Sequence, residues 1–324
     1  MRRRHFFLGL TGLAGCTGSG KPRLNVINYS DYIARETLTG FEREFGVELR
    51  YSAVIEGSEE TIARTMSGNS GWDVVFPENR LVQPMREMGL LGRLEPARLP
   101  NLSHLAGLFR KPAWDPAIEW SAPYLWSCCG ILAGEPAGEL SRWQDLWQPR
   151  YRGKITMLDE PSEVFAACLK ILGYSINTDS PEQLRRAQEL ALEQKQVLRA
   201  YLNTEVRDQV VAGDVWAAQL WQGSAQLSID QAPELRFVHP AEGYSLYCDC
   251  VGVLAESRRR ELAHEFINYL YRPEVARANS AASRALSPCA TGNETVLERG
   301  EWFQTASGST QRLRDRLWTE IKSA

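Results

Sequence analysis

A chain of 324 residues with 44% hydrophobic and 24% charged residues is ordinary globular material, long enough to bury one large core or to divide into two lobes. Its formal net charge of −3, with no basic patch beyond the first residues, argues against nucleic acid as a partner and suits a small cationic ligand. The seven cysteines are too few and too scattered to form a disulfide scaffold.

The N-terminus differs from the rest. MRRRH is basic, FFLGLTGLAG is apolar, and Cys16 follows. The apolar run is too short to span a bilayer, so residues 1–15 read as an export signal. LAGC, residues 13–16, resembles the bacterial lipobox, which implies cleavage before Cys16 and lipidation of that cysteine. Residues 16–21 then form a lipid-anchored tether, and the mature protein sits in the periplasm on a membrane. RRRHFF is also similar to a twin-arginine signal, the route for export in a folded state.

From residue 22 onward, short β-type runs alternate with helical patterns. LNVIN (24–28), VELRYS (47–52), WDVVFP (72–77), GKITML (153–158), VWAAQLW (215–221) and LRFVHP (235–240) read as strands from β-branched content and length. Residues 181–200 read as one helix, with Ser180 as N-cap, Pro181 at the first helical position and Gln183 completing a capping box. Residues 260–271 put Leu262, Ala263, Phe266, Ile267 and Leu270 at helix spacing, and Pro273 stops them. This alternation predicts an α/β fold with parallel-rich sheets, and the length favours two lobes. APYLWSCCGILA (122–133) and YCDCVGVLA (247–255) are apolar and extended, and each is suited to carry the chain between lobes.

Cys248 and Cys250 lie two apart on a strand, so they share a face while Asp249 points the other way. His104, His239 and His264 are not near them in sequence, which disfavours a metal site and leaves small buried thiols as the main reading. A disulfide between the Cys128/Cys129 and Cys248/Cys250 pairs is the alternative.

The motifs NYSDY (28–32), TLTGFEREFGVELRY, WDVVFP, SAPYLW, WQDLWQPRYRGKI, LDEPSEVF, LGYSINT, LWQGSA, YCDCVGV and FINYLYRPEVA follow one another across roughly residues 24–290. Together they closely resemble the bacterial spermidine/putrescine-binding proteins, extracytoplasmic solute receptors of ABC uptake systems. The resemblance implies two α/β lobes that close by a hinge on ligand held in the cleft. Lobe one comprises residues 22–126 plus 252–296, and lobe two comprises 127–251 plus 297–324 with a C-terminal helix near 308–323. It also implies a monomeric receptor, not an enzyme, with no cofactor and no metal, that hands a polyamine to a membrane permease.

Carried over by position, Tyr29, Ser30, Asp31 and Tyr32 border the cleft on lobe one, and Glu78 and Arg80 follow at the cleft end of the WDVVFP strand. On lobe two, Glu160 and Glu163 match the family's acids, Trp221 and Tyr247 its aromatic wall, and Asp249 the carboxylate for a terminal amine. The chemistry is simple. Each ammonium taken out of water needs a carboxylate, because an unpaired buried charge costs several kcal/mol in order of magnitude. Aromatic faces bury the methylene spacer and attract the cations.

Three departures bear on the ligand. Tyr29 stands where Trp is frequent, SRALSPC near position 285 lacks an aromatic, and Glu78 and Arg80 replace uncharged residues. An Arg80 pointing free into the cleft favours another amine-bearing solute with a carboxylate, such as an amino acid or opine. The expectation is that Arg80 pairs with Glu78, two residues away on the same strand end, leaving Asp31, Glu160, Glu163 and Asp249 for cations. A metal receptor on the same fold needs convergent Tyr, His and acids, whereas these acids spread along a slot. A hydrolase lacks any G-x-S-x-G or H-E-x-x-H motif to stand on.

Overall fold

The computed structural model describes residues 20–55, 58–66, 69–292 and 294–324. The export signal and Cys16 lie outside the described residues. Strand β1 (Arg23–Tyr29) is buried from Leu24 to Asn28, so both its faces are covered, as in sheets sandwiched by helices. It lies between β2 (Glu48–Ile55) and β3 (Val74–Val75), parallel to both. β4 (Leu91–Gly92) follows.

Two long strands form the middle of the molecule: β5 (Ala122–Ala133) and, later in the chain, β10 (Tyr244–Leu254), every residue of which is buried. They pair antiparallel from Leu246 opposite Cys128 to Val251 opposite Ala122, with an irregularity between Asp249 and Cys250. Between them in sequence come β6 (Ile155–Met157), β7 (Leu198–Tyr201), β8 (Ala217–Trp221) and β9 (Arg236–Val238), and β11 (Gly300–Trp302) ends the series. The strand order is β2-β1-β3-β10-β5-β8-β6-β7, with β4 and β11 beside β10 and β9 beside β5. The fold is therefore α/β. Its parallel pairs sit in the two wings, β2-β1-β3 and β8-β6-β7, and the expectation of parallel-rich sheets gives way in the middle to the antiparallel pair of long strands.

Two local expectations need correction. The helix expected over 181–200 stops at Lys195, and Leu198–Tyr201 is strand β7, parallel to β6 through Ile155 opposite Leu198. Here pairing along the sheet edge outweighs the good helical propensity of Gln196, Leu198, Arg199 and Ala200. At its start, Ser180 Oγ accepts from Gln183 N at 3.4 Å, but the Gln183 side chain meets the Thr178 hydroxyl at 2.5 Å, so only half of the capping box forms. The WDVVFP strand is only Val74–Val75, and Glu78 is the N-cap residue of the helix Asn79–Glu87. The 260–271 segment is a helix over Arg260–Leu270 that buries Ala263, Phe266, Ile267 and Leu270 and ends before the next helix opens at Pro273.

All six described cysteines are free thiols, five of them buried, which corrects the disulfide alternative. The C-terminal helix Gly308–Ser323 lies on the helix Pro181–Lys195, with Gln188 Nε2 donating to Glu320 Oε2 at 2.6 Å and Lys195 Nζ to the Ile321 carbonyl at 2.6 Å. Among the described residues no helix is long and apolar enough to cross a membrane.

Candidate functional site

A cleft of about 550 Å³ opens where β1, β3, β6, β7 and β8 end. Chain segments leaving the carboxyl ends of strands are the usual ligand positions of open α/β sheets, because there the backbone turns away and exposes side chains from neighbouring strands. Every residue that the sequence analysis assigned to the cleft borders this cavity.

On the β1 side, Asp31 takes a left-handed backbone conformation (φ 55°), uncommon for a residue with a side chain and tolerated best by Asn and Asp. The turn sets the rings of Tyr29 and Tyr32 with centroids 5.4 Å apart. Tyr124 Oη donates to the Tyr32 carbonyl at 2.7 Å, and Tyr32 Oη in turn donates to Asp249 Oδ2 at 2.7 Å. Tyr29 Oη lies 3.3 Å from Thr61 Oγ1.

Asp249 projects from β10 beside its irregular step and is 4% exposed. Burial pushes its carboxyl up to about 8; the Tyr32 hydrogen bond opposes the shift and the charge of Glu78 adds to it. Glu163, in the first turn of the helix Pro161–Ile171, is 3% exposed and accepts from Ser245 Oγ at 2.5 Å and Trp221 Nε1 at 3.2 Å. Its carboxyl is pushed up to about 7, again chiefly by burial, with the Ser245 bond opposing. These two acids are thus held by hydroxyl and indole donors in surroundings that disfavour their charge.

Arg80 is arranged differently. Its Nε donates to Glu78 Oε1 at 3.0 Å and its Nη2 to Glu160 Oε1 at 3.3 Å, with the guanidinium carbon 5.8 Å from the centroid of Phe303. The expected Glu78 pairing is present, although it forms at a helix start and not on a strand face. Glu160 joins it, so this acid is engaged by Arg80 and does not stand apart for a cation as the sequence analysis had it. Ser162 Oγ donates to the same Glu160 oxygen at 3.2 Å. Asn79, next to Glu78, fixes the region by donating to the Phe303 carbonyl at 2.7 Å and accepting from Cys248 N at 3.0 Å.

Asp31 also differs from expectation. Its side chain is 56% exposed and meets Arg207 Nη2 at 3.3 Å across the mouth of the cleft. Arg207, a second cleft base, escaped the sequence reading because the helix expected through residue 200 hid the turn that leaves β7. Phe303 was missed as well. It follows β11, which pairs with β10 only through a contact distant in sequence, and it borders the cavity, as does Ala285 of the SRALSPC run that lacks an aromatic. Ser30 lies exposed on the rim, Trp221 is half-buried, and Tyr247 is buried with Ala166, Ile176 and Phe303. Among the described residues, no group of three or more His, Cys, Asp or Glu is arranged to hold a metal ion.

Two α/β wings flanking a pair of long strands, with a polar and aromatic cleft at the strand ends, define a mixed α/β periplasmic-binding-protein fold. A putative spermidine/putrescine ABC transporter protein of Listeria monocytogenes superposes with a TM-score of 0.86 at 24% identity, covering 93% of this chain and 98% of that one. A binding protein of A. tumefacien R10, solved with agropinic acid, superposes with a TM-score of 0.72 at 12% identity, covering 94% and 99%. Residues 36–306 match the family model for bacterial extracellular solute-binding proteins, and the chain belongs to that family. It is a non-enzymatic, extracytoplasmic solute-binding protein. The spermidine/putrescine-binding periplasmic protein of Escherichia coli strain K12 is 27% identical over 333 residues, which cover 96% of this chain and 95% of the relative.

Proposed function

We propose that this protein captures a polyamine of the putrescine or spermidine kind in the cleft and delivers it to an ABC permease. The observation that carries the reading is the pair Asp249 and Glu163: two buried carboxyls with raised pKa values, held only by neutral donors among their hydrogen bonds, beside Tyr29, Tyr32, Trp221 and Tyr247. An alkylammonium at each carboxylate offsets the desolvation that now favours protonation, and the aromatic faces cover the methylenes between them. The name of the Escherichia coli relative is in line with this ligand class. An amino acid or opine gripped by Arg80 is less well supported, since Arg80 already meets two acids.

In the same reading, residues 22–126 plus 252–296 and residues 127–251 plus 297–324 act as the two lobes, with β5 and β10 as the hinge strands. Lipidation at Cys16 anchors the tether to the periplasmic face of a membrane, and the receptor works as a monomer. The test is calorimetric titration and thermal shift of the full-length protein with putrescine, spermidine and γ-aminobutyrate. A ligand of the native state at a hundredfold excess over Kd adds ~2.7 kcal/mol of stability. Stabilisation by γ-aminobutyrate alone, or by neither amine, counts against the proposal.

A further inference from the structure

Resting on the polyamine reading, we propose that Arg80 is a built-in cation that occupies one ammonium position of the cleft, so that the receptor selects linear diamines over longer polyamines. Arg80 is 8% exposed, and the two acids it bridges are each 5% exposed. It lies 3.0 Å from Glu78, 3.3 Å from Glu160 and over the face of Phe303 at 5.8 Å. A cation between two buried carboxylates and above an aromatic ring has the surroundings that a protonated amine seeks on leaving water. The side chain thus takes up the space and the oxygen lone pairs that an inner or terminal ammonium of a triamine needs.

The other two buried acids present a contrast. Asp249 accepts from the Tyr32 hydroxyl, and Glu163 accepts from the Ser245 hydroxyl and the Trp221 indole. Among the described residues neither forms an ion pair with a Lys or Arg, and burial raises the pKa of both. The cleft therefore offers two buried carboxylates still needing cations, which matches the two charges of putrescine or cadaverine, while Glu205 and Asp208 border it exposed to water. Arg80 with Glu78 and Glu160 retains a net negative charge when both acids are ionised. That charge attracts cations towards the cleft at long range, yet the guanidinium already fills the place where one would settle. Arg207 at the mouth, 28% exposed and 3.3 Å from Asp31, adds a second positive group on the path a protruding aminopropyl arm would take.

The selectivity is read by calorimetry on the wild-type protein with 1,3-diaminopropane, putrescine, cadaverine, spermidine and spermine. Putrescine or cadaverine should bind at least about tenfold more tightly than spermidine, the order expected for excluding one paired charge. In Arg80→Ala, Glu78 and Glu160 lose their internal cation, and spermidine should gain at least about tenfold relative to putrescine. Wild-type protein that binds spermidine as tightly as the diamines overturns the inference while leaving the polyamine reading intact, as does an unchanged ratio in a folded Arg80→Ala. Wild type that binds no amine removes both. Should Arg80→Ala fail to fold, the wild-type series of amines still decides.

Discussion

The raised pKa values of Asp249 and Glu163 predict that amine binding is proton-coupled. With carboxyls near about 8 and about 7, Asp249 is ionised in roughly one molecule in a hundred at about pH 6 and Glu163 in roughly one in ten. Near pH 8 these fractions rise to about one half and about nine tenths. An alkylammonium, with an unperturbed pKa near that of lysine at about 10.4, stays charged throughout, so the change belongs to the protein. If the complex needs both carboxylates ionised, the association constant for putrescine should rise by about two to three orders of magnitude from pH 6 to pH 8, or ~3–4 kcal/mol. The charge of Glu78 raises both carboxyls, so macroscopic steps and not residue-by-residue values are what experiment reads. Calorimetry in buffers of different ionisation enthalpy should register release of roughly one to one and a half protons per putrescine bound near pH 7. Affinity constant within about threefold over this range, with heats independent of buffer, would refute the argument that these carboxyls receive the cations.

The same shifts give the apo protein a pH signature. Both carboxyls titrate higher in the folded protein than in the unfolded chain, so their contribution to stability is complete below about pH 4 and is lost as pH rises through about 7 and 8. Denaturant midpoints of the ligand-free protein should therefore fall from about pH 5 to about pH 8.5 by this contribution, and saturating putrescine should flatten the decline. Asp249→Asn should weaken putrescine binding by ~2–5 kcal/mol and yet stabilise the free protein near pH 8, because a buried charge is gone; unchanged affinity in the folded variant refutes its assignment to a ligand amine. Arg207→Ala, which removes a half-exposed ion pair across the mouth, should shift binding by less than ~1 kcal/mol and mainly speed dissociation, as stopped-flow displacement would read. Cys16→Ser should move the protein out of the membrane fraction or block its processing, seen by fractionation and labelling with a lipid precursor.

Much of the α/β pattern was legible because it is local. LNVIN and the two long apolar runs appear as strands, and the cleft residues other than Tyr247 and Asp249, which lie within β10, lie at or after strand ends, where an acid or aromatic next to a β-type run is a short-range signal. What was not legible depends on contacts distant in sequence. Glu160 is 80 positions from Arg80, and nothing near either residue announces the bridge between them. Arg207 and Asp31 are 176 positions apart, and the short helix that Arg207 opens, Arg207–Val211, emerges only once Leu198–Tyr201 is seen as a strand. Propensity alone kept those residues in the preceding helix, and the partner strand β6 decided otherwise. The half-formed capping box makes the same point on a smaller scale: Ser180 acts as its residue type predicts, while the Gln183 side chain has two possible partners and takes Thr178.

The four buried acids of the cleft then divide into two kinds with different consequences for closure. In the proposed partition, Glu78 and Arg80 belong to lobe one and Glu160 to lobe two, so their bridge would join the lobes through the protein's own groups. A bridge of that kind favours the closed form at all times and lowers the amount of ligand energy needed to reach it. Asp249 and Glu163 act in the opposite sense. Both lie on lobe two in that partition, so closure does not bring them together but covers them with lobe one, as Tyr32 covers Asp249, and burial without a cation costs desolvation, met here by shifting both carboxyls towards protonation. A diamine removes that cost only in the closed form, and a ligand shifts a two-state equilibrium by no more than its difference in affinity between the states. In that reading the internal cation sets how far the lobes are already inclined to close, and the two carboxyls held by neutral donors make completion depend on the solute. Removing Arg80 should thus alter the amine preference and the resting degree of closure together, and small-angle scattering of ligand-free Arg80→Ala, with a larger radius of gyration than ligand-free wild type, is the measurement that links them.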